Sequence, residues 1–212
     1  SIEAAGYRIA IVPQPDWHGD FRDFKKLGKP RLFFAVSPGN MDSMVNKYTA
    51  NKRLRSEDAY SPDGRHDCRP DYPSIVYTQI LKKLFPDVPV VIGGIEASLR
   101  RLTHFDYWQN KLRKSILCDS GADMLLYGVG AKSILALAEA IEQGRNIKKI
   151  TEIPQTVYLS SKDNIQGGIT DKDIILHSYE ECLQNKKAHA ENFKYIEEES
   201  NKMHAQRHII AC

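Results

Sequence analysis

Apolar residues occur along this chain in two rhythms. Short unbroken runs, rich in β-branched residues, alternate with stretches where apolar positions recur every three or four residues. The first rhythm marks buried strands and the second amphipathic helices. Residues 7–12, YRIAIV, read as a strand ended by Pro13. PQPDWHGD follows as a loop and DFRDFKKLG as a short helix closed by Gly28. RLFFAVS is a second buried strand, and after PGN either Asn40 or Asp42 can cap a helix through MDSMVNKYTANKR. YPSIVYTQILKKLF has helical spacing and stops before Pro86, and VPVVIGG is the third strand. IEASLRRLTHFDYWQNKLRKSILCDSG mixes loop and helix and closes at Gly121. ADMLLYGVG is the fourth strand, AKSILALAEAIEQG a helix capped by Gly144, and QTVYLS a last, edge strand.

Strands alternating with helices predict βαβ units, and hence an α/β, doubly wound, mostly parallel sheet covered on both faces. The four clearest strands end in PQPD, SPGN, GGIE and GVGA. Ligands of such folds sit outside the carboxyl ends of the strands, so these loops would line one rim. Three segments break the rhythm. Residues 53–71 form a long loop without apolar periodicity, and loops of that length are often functional. Residues 160–172 are polar and Gly-rich, a linker, and residues 173–208 predict one long helix or two shorter ones. The division is therefore a domain over 1–159, a linker over 160–172 and a helical extension over 173–212.

Composition narrows the picture only slightly. The 212 residues are 42% hydrophobic and 27% charged, with a net charge of +3, which neither demands nor excludes nucleic acid. No apolar run approaches the roughly 20 residues needed to cross a bilayer, and no basic-then-apolar segment opens the chain, so a cytoplasmic location is expected. Cys68, Cys118, Cys182 and Cys212 are scattered, which reads as reduced structural thiols rather than a cluster site. SIEAAG reads as a helix end followed directly by a strand. The expectation is a fragment lacking the first strand of its sheet, leaving a gap or a place for another chain. A continuous sheet built wholly from these residues would count against it.

Candidate chemistry gathers at the rim. Gly93-Gly94 and Gly128-x-Gly130 follow strands, where glycine permits positive φ and close approach of a ligand or simply a tight turn. Neither stretch completes a dinucleotide or P-loop fingerprint. Glu96 and Ser98 with Arg100 and Arg101 read as an acid–base pair, an anion clamp or an ordinary ion pair. The 53–71 loop, with Lys52 before it, sets Arg53, Arg55, Arg65 and Arg69 beside Tyr60, but Glu57, Asp58, Asp63, Asp67 and Asp71 nearly balance these five cations. An ion-paired structure or docking surface fits this loop better than RNA binding. His66, His177 and His189 share no ligand spacing with the cysteines. The residues by themselves describe an α/β ligand-binding or docking domain with a Gly-rich rim.

Longer strings say more. QPDW, LGKPRLFFAVSPGNMDSMVNKYTANKRLRSEDAYSPDG, RPDYPSIVYTQ, PVVIGGIEASLRRLTHFDYW and DSGADMLLYGVG resemble the N-terminal domain of YgiQ-type radical SAM proteins, over roughly residues 4–159. The resemblance implies a flavodoxin-like domain, similar to cobalamin-binding domains, ahead of a radical SAM barrel. In that barrel a CxxxCxxC motif holds a 4Fe-4S cluster, which binds S-adenosylmethionine and yields a 5′-deoxyadenosyl radical. This chain has no CxxxCxxC, so no catalytic or metal-binding residue is carried over and the chain is not expected to be catalytic alone. Cobalamin is not expected either. Asp16-Trp17-His18 begins a DxHxxG-like string but Phe21 replaces its glycine, and Ala131 follows Gly130 where related domains have glutamate.

The resulting expectation is an accessory domain that lines or covers the substrate and cofactor site of the barrel in the same polypeptide. Its rim would be Gly93, Gly94, Glu96, Ser98, Gly128 and Gly130. The rival is a docking module without a ligand pocket, binding protein or, less readily, RNA.

Overall fold

The computed structural model describes residues 2–161, 169–203, 205 and 207–211. They divide into two compact units, one of residues up to 101 and from 115 to 159, the other of residues 102–114 and those beyond 159.

The first unit is an α/β layer structure. Its sheet runs in the order β1 (Phe34–Val36), β2 (Val90–Ile92), β5 (Met124–Leu126), β6 (Thr156–Val157). β1, β2 and β5 are parallel, and β6 returns antiparallel against β5 at one edge. The central strands are buried on both sides because their side chains alternate between two apolar layers. Val90, Ile92 and Leu125 face a cluster that includes Phe24 of α1 (Arg22–Lys25), Tyr77 and Leu81 of α3 (Pro73–Leu84) and Leu117 of α5 (Ile116–Ser120). Val91, Met124 and Leu126 face the opposite cluster, with Leu137 and Ala140 of α6 (Ala131–Glu142).

Helix ends follow local chemistry. Asp42 caps α2 (Ser43–Lys47), accepting from the Met44 and Val45 amides at 3.0 and 3.4 Å. Pro73 opens α3, where its missing N–H costs nothing. Ser115 caps α5, and Gly121 closes it at φ 71°. Helix α4 (Gly94–Leu99) leaves β2 directly.

Residues 7–12 do not form a strand. They pair with none among the described residues, and Ile9 and Ile11 are 45% and 82% exposed. An apolar β-branched run becomes a strand only when a neighbour accepts its backbone hydrogen bonds.

The second unit holds the hairpin β3 (His104–Asp106) and β4 (Lys111–Arg113), the parallel pair β7 (Ile174–Leu176) and β8 (Ile209–Ala211), and helices α7 (Tyr179–Gln184) and α8 (Lys186–Ser200). Of the one long helix or two shorter ones expected over 173–208, two helices are present, but Ile174 and Ile175 lie in a strand. Their β-branched side chains suit the ladder with Ile209 and Ile210. Ser178 and Glu181 form a reciprocal capping box on α7. Tyr179 donates to the Leu112 carbonyl at 3.3 Å, and Lys114 reaches Glu180 at 3.1 Å. The expected linker falls largely on residues 162–168, outside the described residues. No helix among the described residues is long and apolar enough to cross a membrane.

Candidate functional site

The carboxyl ends of β1, β2 and β5 bring the sequence-selected residues to one end of the sheet, in two different states. On the turn after β2, Gly94 has φ +81°, and a Cβ there would lie 2.8 Å from Ser37 Oγ and 3.1 Å from Pro38 Cδ. A Cβ on Gly93 would lie 3.3 Å from the Leu126 carbonyl. What approaches these glycines is the turn after β1 and the neighbouring strand. On the turn after β5, a Cβ on Gly128 would meet Gln155 Nε2 at 2.9 Å. Gly130, at φ +65°, has open space around it, and Val129 between them is 91% exposed.

Glu96 lies beneath this rim, fully buried in α4. Its carboxylate accepts from the Ser43 amide at 3.2 Å, from the Ser43 hydroxyl, and from the Ser74 amide at 3.1 Å. Tyr72, at the N-cap position of α3, makes no side-chain cap. Glu96 supplies one from another helix while also serving the first residue of α2. One negative charge at two helix starts satisfies amides that would otherwise be orphaned and complements their positive ends.

Arg100 does not pair with the Glu96 side chain. Its guanidinium, buried, grips the Asp42 carboxylate and sits 5.4 Å from the Tyr72 ring centre. Burial opposes the Arg100 charge, but the bonds and charge of Asp42, with Glu96 nearby, hold its pKa above the ordinary arginine value. Ser98 is half-buried, and its carbonyl accepts from Arg101 Nη1 at 2.7 Å. The sequence signal for this network was partial. Asp42 was legible as a cap, whereas Ser43 and Ser74 carried no mark of their shared acceptor.

The 53–71 loop is an ion-paired structure. Lys47 contacts Asp67 at 2.6 Å and Asp71 at 2.8 Å. Burial works against its charge, but those two carboxylates raise its pKa. Buried Arg69 bonds Asp58 at 2.8 Å and the Pro38 carbonyl at 3.0 Å, tying the loop to the turn after β1. Burial pushes the Asp58 pKa up, but hydrogen bonds from Asn46, the Tyr60 amide, Arg69 and Ser61 outweigh it and bring the pKa to about 2.

Among the described residues, no three His, Cys, Asp or Glu side chains come together to hold a metal. Cys68 donates toward the Arg65 carbonyl, and Cys118 is exposed on α5. Cys182 is buried, and that burial, followed by the Glu181 charge, raises its pKa. This donor set does not fit an iron–sulfur cluster, which needs several convergent thiolates.

The fold and this end of it thus define an α/β domain whose own side chains stand against the strand-end glycines Gly94 and Gly128. Residues 1–211 match the family described as Radical SAM N-terminal, and the chain belongs to that family. It is 59% identical to a UPF0313 protein of Bacteroides thetaiotaomicron, over 97% of this chain and 35% of that protein. It is 58% identical to a UPF0313 protein of Porphyromonas gingivalis, over 99% of this chain and 33% of that protein. Identity to the UPF0313 protein CPE1196 of Clostridium perfringens is 50%, over 91% of this chain and 28% of that protein. The chain therefore spans about a third of the length of these relatives. No solved structure matches it.

Proposed function

We propose that this chain is the docking domain of a radical SAM protein, turning the strand-end rim toward the catalytic domain of the same cytoplasmic polypeptide without contributing a catalytic group. We further propose that its sheet is of the flavodoxin-like class. Family membership implies a 4Fe-4S cluster and S-adenosylmethionine for the whole protein, where they would generate a carbon radical. The residues here would hold neither.

The observation that carries this reading is the filling of the rim. Ser37 and Pro38 stand against Gly94, Gln155 against Gly128, and Glu96 is committed to protein donors. At Gly94 the close approach that glycine permits is taken by Ser37 and Pro38, leaving less room there for a flat cofactor such as cobalamin. Ile95 and Val129, on the turns leaving the paired strands β2 and β5, are instead exposed and apolar. Apolar side chains on the turns of a rim suit burial against protein.

The test uses full-length protein with its cluster reconstituted, carrying Ile95→Glu and Val129→Glu together. Amides of residues 93–99 and 127–131 should then exchange about tenfold faster than in the parent protein, and 5′-deoxyadenosine formation should fall. Unchanged exchange and unchanged turnover would reject the docking face.

A further inference from the structure

Residues 7–12 and β1 are tethered to the same supports at both ends. At one end the Tyr7 hydroxyl donates to Glu142 at 3.0 Å, and Arg31 ion-pairs with the same carboxylate at the end of α6. At the other end Gln14 donates to Ser61 Oγ at 2.8 Å, Ser61 to Asp58 at 2.9 Å, and Arg69 joins Asp58 to the Pro38 carbonyl. The step from Tyr7 to Gln14 and the step from Arg31 to Pro38 are both seven residues. The two segments therefore run in the same direction over a matching length.

They nevertheless share no ladder, and each shows an unfilled side. Among the described residues β1 is an edge of the sheet, paired only with β2. The Phe34 amide bonds Pro89 and the Val36 carbonyl accepts from Gly93, so by strand alternation the Ala35 N–H and C=O face away from β2. Ala35 is exposed although it lies in a strand. The edge, FAV, has none of the charges, prolines or bulges that guard natural sheet edges. Ile9 and Ile11 are likewise exposed.

We propose that one further β-strand, from the same longer polypeptide upstream of Tyr7, inserts parallel between β1 and residues 7–12. Topology selects this occupant. With it, the order becomes residues 7–12, new strand, β1, β2, β5, which is the 2-1-3-4-5 order of a doubly wound sheet. Glu3–Ala5 form a 3-10 turn closed by Gly6 at φ 90°, the geometry of a helix end leading into residue 7. A right-handed strand–helix–strand crossover would join the new strand to residues 7–12. A second copy fits less well. A two-fold axis would pair β1 edges antiparallel and leave residues 7–12 uncovered. The relatives, about three times as long, supply ample further chain.

Hydrogen exchange on the full-length protein tests this. Amides of residues 8–12 and of Ala35 should be protected at the level of β2. Ala35→Pro, which removes the outward donor, should deprotect residues 8–12 while leaving 90–92 unchanged. Ile11→Glu, exposed in the 212-residue chain, should lower the melting temperature of the full-length protein if the strand covers it. Free exchange of residues 8–12, or a melting temperature indifferent to Ile11→Glu, overturns the proposal. Protection that grows with protein concentration overturns it too, because the strand would then come from a second copy. Neither outcome bears on the rim turns, so failure here is distinguishable from failure of the docking reading.

Discussion

The two glycine turns of the rim invite comparison. Both follow a buried apolar strand and both open a helix, yet they differ in what stands where a Cβ would lie: protein atoms beside Gly93, Gly94 and Gly128, and none within 4 Å of Gly130. At Gly93-Gly94 the turn after β1 fills the space, and Glu96 one turn below locks α2, α3 and α4 together. At Gly130 nothing approaches, and Val129 is exposed. The same local signal thus serves two purposes, closing the domain on itself and offering a face. The chain elements that pack beside each turn decide between them.

The largest break of this contrast should come from Glu96. Glu96→Ala would strand the Ser43 and Ser74 amides in a dry interior, at a cost of about 3–5 kcal/mol. Glu96→Gln, which keeps the shape and one good acceptor, should cost less. Urea denaturation of the 212-residue chain reads both. A variant that loses full-length activity at unchanged stability would instead make Glu96 a reacting group.

Acid should loosen the closed side next. The Asp58 pKa is lowered from 3.8 to about 2 in the folded chain. Its stabilising contribution is therefore complete above pH 3.8 and is lost as pH falls from 3.8 through about 2. The amount is about 2 kcal/mol, and Asp58→Asn should flatten that part of the stability–pH profile. An unchanged profile would mean that the Asp58–Arg69 pair does not hold the loop to Pro38.

The smallest effect is a difference between glycines. Gly94→Ala and Gly130→Ala both force a side chain into the left-handed region, costing about 1–2 kcal/mol each. Only at Gly94 must Ser37 and Pro38 also give way. Thermal melts should therefore show Gly94→Ala the more destabilised by about 1 kcal/mol, and equal losses would remove the distinction between the two turns.

Much of the first unit was legible. VVI and MLL, apolar at every position, declared strands buried on both faces, and Asp42, beside Asn40, and Gly121 marked helix ends by local chemistry that needs no partner. The hairpin of β3 and β4 was not legible, because its polar and aromatic residues show no clean alternation. β7 and β8 were also missed, since a parallel pair separated by more than thirty residues leaves no local trace of its pairing. At the site, Gly93, Gly94, Glu96, Ser98, Gly128 and Gly130 were picked out as a set. Their division into packed, buried and open members was not visible, because it depends on Ser37, Pro38, Ser74 and Gln155, distant in sequence.

By itself, the sequence determined the α/β rhythm, the buried strands, the capped helices and the resemblance to radical SAM N-terminal domains. These rest on periodicity, on side-chain interactions within a few residues, and on long specific strings. Only the tertiary structure decided that Glu96 caps two helices, that Arg100 grips Asp42, and that YRIAIV lies outside the ladder. A carboxylate, a guanidinium and a strand each carry unsatisfied bonding capacity, and what satisfies it is set by which elements the fold brings alongside.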